Sequence, residues 1–153
     1  MKQMTALIFL AAASAFTLAN STASAHSDEV PDKQRAPHGG QVLQAGAYYF
    51  ELVVAKDSKE AKENPVVVHV TDHAGTKVSA VGAGGTAIIL VGKTKATATL
   101  VPDGDNRLKG AAKYASTPDM KVVVSIALPG KNAEQARFTP LAIVKDEHME
   151  HKH

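Results

Sequence analysis

No cysteine occurs anywhere in the 153 residues. That excludes disulfides, thiolate metal sites and cysteine nucleophiles, and it leaves packing as the source of stability. Any metal site must be built from histidine, carboxylate, methionine or a free amino terminus, donors that favour copper, zinc or nickel over iron–sulfur chemistry. Tryptophan is also absent and aromatic residues make up only 5% of the chain, which counts against a sugar-stacking surface. The formal net charge of +2 implies no basic face for nucleic acid. Catalytic patterns are missing too. No nucleophile lies in a strained turn near a base, and no glycine-rich phosphate loop opens a helix. No helix carries the paired histidines of a zinc hydrolase. The expectation is a protein that is not an enzyme.

What is present begins with a secretory pattern. Residues 1–25 read as a signal peptide, with Lys2 at the positive start, an apolar run over 7–18 and Ala23-Ser24-Ala25 as the small-residue cleavage site. The run is too short for a membrane-spanning helix and no second apolar span follows. Cleavage would remove one lysine and no acid, leaving 16 basic against 15 acidic residues and a charge of +1. The expected setting is the periplasm. Residues 26–36 are polar, contain Pro31 and show no periodicity, so they read as a flexible lead-in. Residues 37–142 carry the folded domain, and 143–153 read as a histidine-rich, disordered tail.

The domain sequence alternates. From Tyr48, the residues Tyr48, Phe50, Leu52 and Val54 share one face and Tyr49, Glu51 and Val53 the other, the signature of a half-buried strand. Val66, Val68 and Val70 repeat the pattern with Val67, His69 and Thr71 outward. Strands are expected over 41–44, 47–55, 66–71, 86–91, 94–100, 108–114, 121–128 and 135–141, separated by glycine or proline turns. The charged stretch 56–64 reads as a solvated hairpin loop, with a helical turn as the alternative, and Gly82, Gly84 and Gly85 as a loop. Seven or eight strands at this spacing predict an all-β fold, an antiparallel sandwich. Connection order does not follow from spacing.

Histidines supply the candidate chemistry. His38 precedes Gly39 and Gly40, a turn that leaves its imidazole uncrowded, and Glu51 faces away from the expected core. The two could converge on one sheet edge as metal ligands. His73, in the turn after the 66–71 strand, is a further candidate ligand that could join His38 in place of Glu51. In a straight strand rising ~3.3 Å per residue, His69 and His73 lie ~13 Å apart, so they share an ion only if the chain bends. His69 alone reads as an ordinary histidine on a polar strand face. In the tail, His148, His151 and His153, with Met149 and Glu150 between them, could wrap a borderline metal without a preformed pocket. Cleavage after Ala25 would expose His26, whose α-amine and ring can chelate copper.

The segments PHGG at 37–40, YYFELVV at 48–54, VHVTDHAGTKV at 68–78, GTA at 85–87, LKG at 108–110 and ARFTP at 136–140 together resemble a family of small secreted proteins of Gram-negative bacteria. That family is similar to the accessory domain near the amino terminus of periplasmic adaptors in heavy-metal efflux pumps. The resemblance spans about residues 37–141. It implies a small β-sandwich or barrel, a periplasmic setting, heavy-metal handling and no catalysis. Members often carry a histidine two places before the strand glutamate, where this chain has Tyr49, so a ligand set carried over from them would be incomplete. Two functions follow as expectations. One is a copper- or zinc-binding protein that buffers or delivers metal, with an efflux system as a possible destination. The other is an interaction module docking on an efflux adaptor or another envelope protein, its histidines incidental.

Overall fold

The computed structural model describes residues 36–143. Eight strands follow in chain order: β1 (Gln41–Ala45), β2 (Tyr48–Val54), β3 (Lys62–Asp72), β4 (Gly84–Val91), β5 (Thr94–Pro102), β6 (Arg107–Tyr114), β7 (Lys121–Ala127) and β8 (Glu134–Phe138). Among the described residues there is no helix. Every pairing is antiparallel, and the spatial order is β1-β2-β3-β6-β5-β4-β7-β8. β5 carries the sheet round its bend, pairing with β4 along most of its length and with β6 at Val101 and Pro102.

The sheet curls until β1 and β8 face each other across a seam. The Thr139 amide donates to Gln41 Oε1 at 2.9 Å there, and the Glu134 carboxylate lies where a side chain on Gly46 would begin. This is a nearly closed barrel, one of the two all-β forms expected. Its interior is filled by the alternating rows: Phe50, Leu52 and Val54 from β2, Val66, Val68 and Val70 from β3, and Val122, Val124 and Ile126 from β7, all buried. Tyr114 is buried as well, and its hydroxyl is satisfied by donating to the Pro65 carbonyl and accepting from the Ala55 amide.

Two stretches differ from the sequence reading. Residues 62–64 are strand rather than loop, and β3 runs straight through Pro65. This is possible because 62–65 pair only with β6. Their other edge has no partner strand, and a proline without an N–H is tolerated there. Gly84 and Gly85 open β4 instead of lying in a loop. A Cβ on Gly85 would stand 2.3 Å from the Ser125 carbonyl oxygen, so the glycine marks a close approach of β4 to β7.

Candidate functional site

The site lies outside the barrel wall. A turn precedes β1, with the Gly39 amide donating to the Ala36 carbonyl at 3.0 Å. Pro37 presets the second position of this turn, and Gly39 takes the positive φ of 73° that follows it. The chain then lies flat on β2. A Cβ on Gly40 would meet the Leu52 carbonyl oxygen at 2.2 Å, so only glycine permits this approach. Lys56 Nζ holds the turn from the side, donating to the Gly39 carbonyl at 2.8 Å.

Beneath this turn sits Glu51. Alternation points it out of the barrel, as expected, but the turn roofs it over and its side chain is only 5% exposed. A buried carboxylate needs hydrogen-bond donors, and the turn supplies them. Oε2 accepts the backbone amides of His38 at 2.9 Å and Gly40 at 3.0 Å, while Oε1 accepts His38 Nδ1 at 2.8 Å. The carboxylate therefore fixes both the turn and the ring. With the Nδ1 proton directed at Glu51, the neutral His38 imidazole keeps its lone pair on Nε2.

His69, set aside in the sequence as an ordinary strand histidine, belongs to this site. Register places it directly opposite Glu51 in the β2–β3 ladder. The His38 ring stacks on it with centroids 3.6 Å apart and planes 1° from parallel. β3 then ends at Asp72, whose Oδ1 accepts the Ala74 and Thr76 amides and bends the chain sharply. That bend puts His73 against the edge of Tyr49, ring centroids 5.0 Å apart. His38, Glu51, His69 and His73 thus line one cavity of about 390 Å³, together with Tyr49, Thr71, Lys77 and Asn106. The chain bends where a straight strand would have kept His69 and His73 apart.

Among the described residues, no three histidine or carboxylate side chains form a group ready to hold an ion. The stack explains why. Ring lone pairs lie in the ring plane, and two parallel rings cannot aim them at one point without tilting. His26, His148, His151 and His153 lie outside the described residues.

The pKa of His69 is lowered from its ordinary 6.5, chiefly by burial, then by neighbouring His38, with Arg107 and Lys77 adding to the effect and Glu51 opposing it. As pH falls through 6.5 the unfolded chain takes up this proton before the folded one does. The folded state therefore loses stability below pH 6.5, until the lowered folded pKa is passed and the loss levels off. Thermal melting at pH 7.5, 6.5 and 5.5 should show a falling midpoint, and His69→Gln should flatten the decline. An equal decline in the variant would show that the fold does not resist protonation at His69.

The fold and site together define an all-β barrel with a histidine-lined cavity on its outer wall. Comparison with family models, curated proteins and solved structures gave no match.

Proposed function

We propose that this protein binds copper or zinc in the periplasm and buffers or delivers the ion, with a heavy-metal efflux system as its destination. One observation carries the metal reading: His38 is oriented through Nδ1 by a buried carboxylate, in a cavity that His69 and His73 also line. A carboxylate on the distal nitrogen is the partner that metal-binding histidines use to fix tautomer and raise ligand basicity. In this reading His38 ligates through Nε2, and Glu51 orients it instead of reaching the ion. Tilting of the stack brings in His69, and His73 closes from the bend. His69 supports the role because its lowered pKa keeps the imidazole neutral, and neutral imidazole is the binding form. Nitrogen donors without thiolate suit copper or zinc. A set that must rearrange suits an ion that is taken up and passed on. The periplasmic setting and the efflux destination rest on the secretory pattern of residues 1–25 and on the family resemblance.

Imidazole nitrogen NMR of the full chain, titrated with zinc, tests the reading. His38 should show a protonated Nδ1 and an unprotonated Nε2 before metal, and zinc should shift Nε2 first. A response confined to the histidines of 148–153 would remove the domain site and favour the envelope-docking function.

A further inference from the structure

The formal net charge of only +2 conceals an uneven barrel wall. β2 and β3 carry three acids, Glu51, Glu63 and Asp72, against one cation, Lys62. β4, β5, β7 and β8 carry Lys95, Lys121 and Arg137, and Lys93 stands in the turn that joins β4 to β5. Their one acid, Glu134, lies in the seam against Gly46. Register gathers the cations into one outward patch. Lys95 and Lys121 are the two cross-strand neighbours of Leu90, one on each side, and so stand about 10 Å apart. In the adjoining row Arg137 is opposite Val123, and Val123 is opposite Ile88. All four cations are exposed, and none has an ion pair or a side-chain hydrogen bond among the described residues. Asp119, exposed two residues before Lys121, pairs with none of them.

Like charges this close lie at about a Debye length, 8–10 Å at physiological salt, and repel one another. Nothing in the patch offsets that repulsion, so it suits a ligand of the opposite sign. Its apolar centre narrows the class. Leu90 is 37% exposed between the two lysines, and Val91, Ile88 and Val123 are half-buried around it. The anchors of a specific protein interface are missing. The one aromatic residue on these four strands, Phe138, is buried in the core, and the patch holds three lysines to one arginine. Protein interfaces concentrate aromatic and arginine anchors and are depleted in lysine. A plane of phosphates over hydrocarbon instead takes lysines set around a small apolar contact. We infer that Lys93, Lys95, Lys121 and Arg137, around Leu90, dock the barrel on an anionic phospholipid surface. The patch is separate from the histidine cavity, whose strand residues lie on β2 and β3.

The test uses the exported chain from His26, the form expected after cleavage, so that the apolar run of 7–18 does not itself bind lipid. The protein is sedimented with vesicles of phosphatidylcholine containing about one-third phosphatidylglycerol, at about 0.05 M and 0.3 M salt, and with vesicles of phosphatidylcholine alone. The wild type should bind the anionic vesicles at low salt, lose most of that binding at high salt and ignore the neutral ones. The triple variant Lys93→Gln, Lys95→Gln and Lys121→Gln should bind about a hundredfold more weakly, at about fivefold per cation. Leu90→Ser should bind a few-fold more weakly and keep the salt dependence. A control triple, Lys59→Gln, Lys62→Gln and Lys131→Gln, removes the same charge away from the patch and should bind like the wild type. None of these side chains has a hydrogen bond or ion pair to lose among the described residues, so the variants keep the fold. Equal losses in the two triples would assign the attraction to net charge and overturn the inference. Equal binding to neutral vesicles, or none to anionic ones, would overturn it as well. If the wild type left the vesicles free but bound polyglutamate through the same three lysines, the face would belong to an acidic protein instead.

Discussion

Glu51→Ala should lower the thermal midpoint of the barrel by about 8–24 °C. The lost carboxylate accepts three hydrogen bonds, two from backbone amides and one from His38 Nδ1. Hydrogen bonds to a charged group contribute about 1.5–3 kcal/mol each when a buried partner is left unpaired. The exposed half of this arrangement offsets part of that. His38 is 45% exposed, so its ion pair alone contributes little, and water can reach some of the freed amides once the roof lifts. The net cost is about 2–3 kcal/mol, and a domain of this size shifts by about 4–8 °C per kcal/mol. Calorimetric melting of the variant measures it. A shift within 2–3 °C would mean that the 36–40 turn does not depend on Glu51.

The barrel was largely readable in the sequence because its signal is local. Period-two alternation in YYFELVV and in VVVHVT marks β2 and β3 and assigns Phe50, Leu52, Val66, Val68 and Val70 inward, where they are buried. The misread stretches depended on partners instead. Pro65 reads as a strand start unless it is known that β2 stops pairing at Val66, and Gly85 reads as loop unless the Ser125 carbonyl is known to pass close by. Spatial order, with β6 between β3 and β5, leaves no trace in spacing.

The site was legible in part, for the same reason. His38 in its glycine turn and Glu51 on the outward face are local features. Their meeting needs the turn to fold back onto β2, and Gly40 is the one residue that signals so close an approach. His69 needed the register that sets it opposite Glu51. A single histidine on a polar strand face gives no sign that another ring will stack on it. His73 needed the Asp72 turn to be a sharp bend, which the Asp-His-Ala-Gly run does suggest.

If the buried Glu51 carboxylate presents His38 to a metal ion, as proposed, two substitutions separate the two roles. His38→Ala should weaken zinc binding at the domain site by about a hundredfold or more, as removal of the first ligand. Glu51→Gln keeps size and an acceptor oxygen but offers Nδ1 an amide N–H, which moves the His38 proton to Nε2 and blocks the ligating nitrogen. It should weaken binding by about tenfold to a hundredfold, the range for loss of an orienting partner. The most direct measurement is therefore the zinc affinity of the wild type, His38→Ala and Glu51→Gln, by chelator competition at pH 7.5. A graded loss is expected, with Glu51→Gln intermediate and still folded. Wild-type affinity in both variants would contradict it.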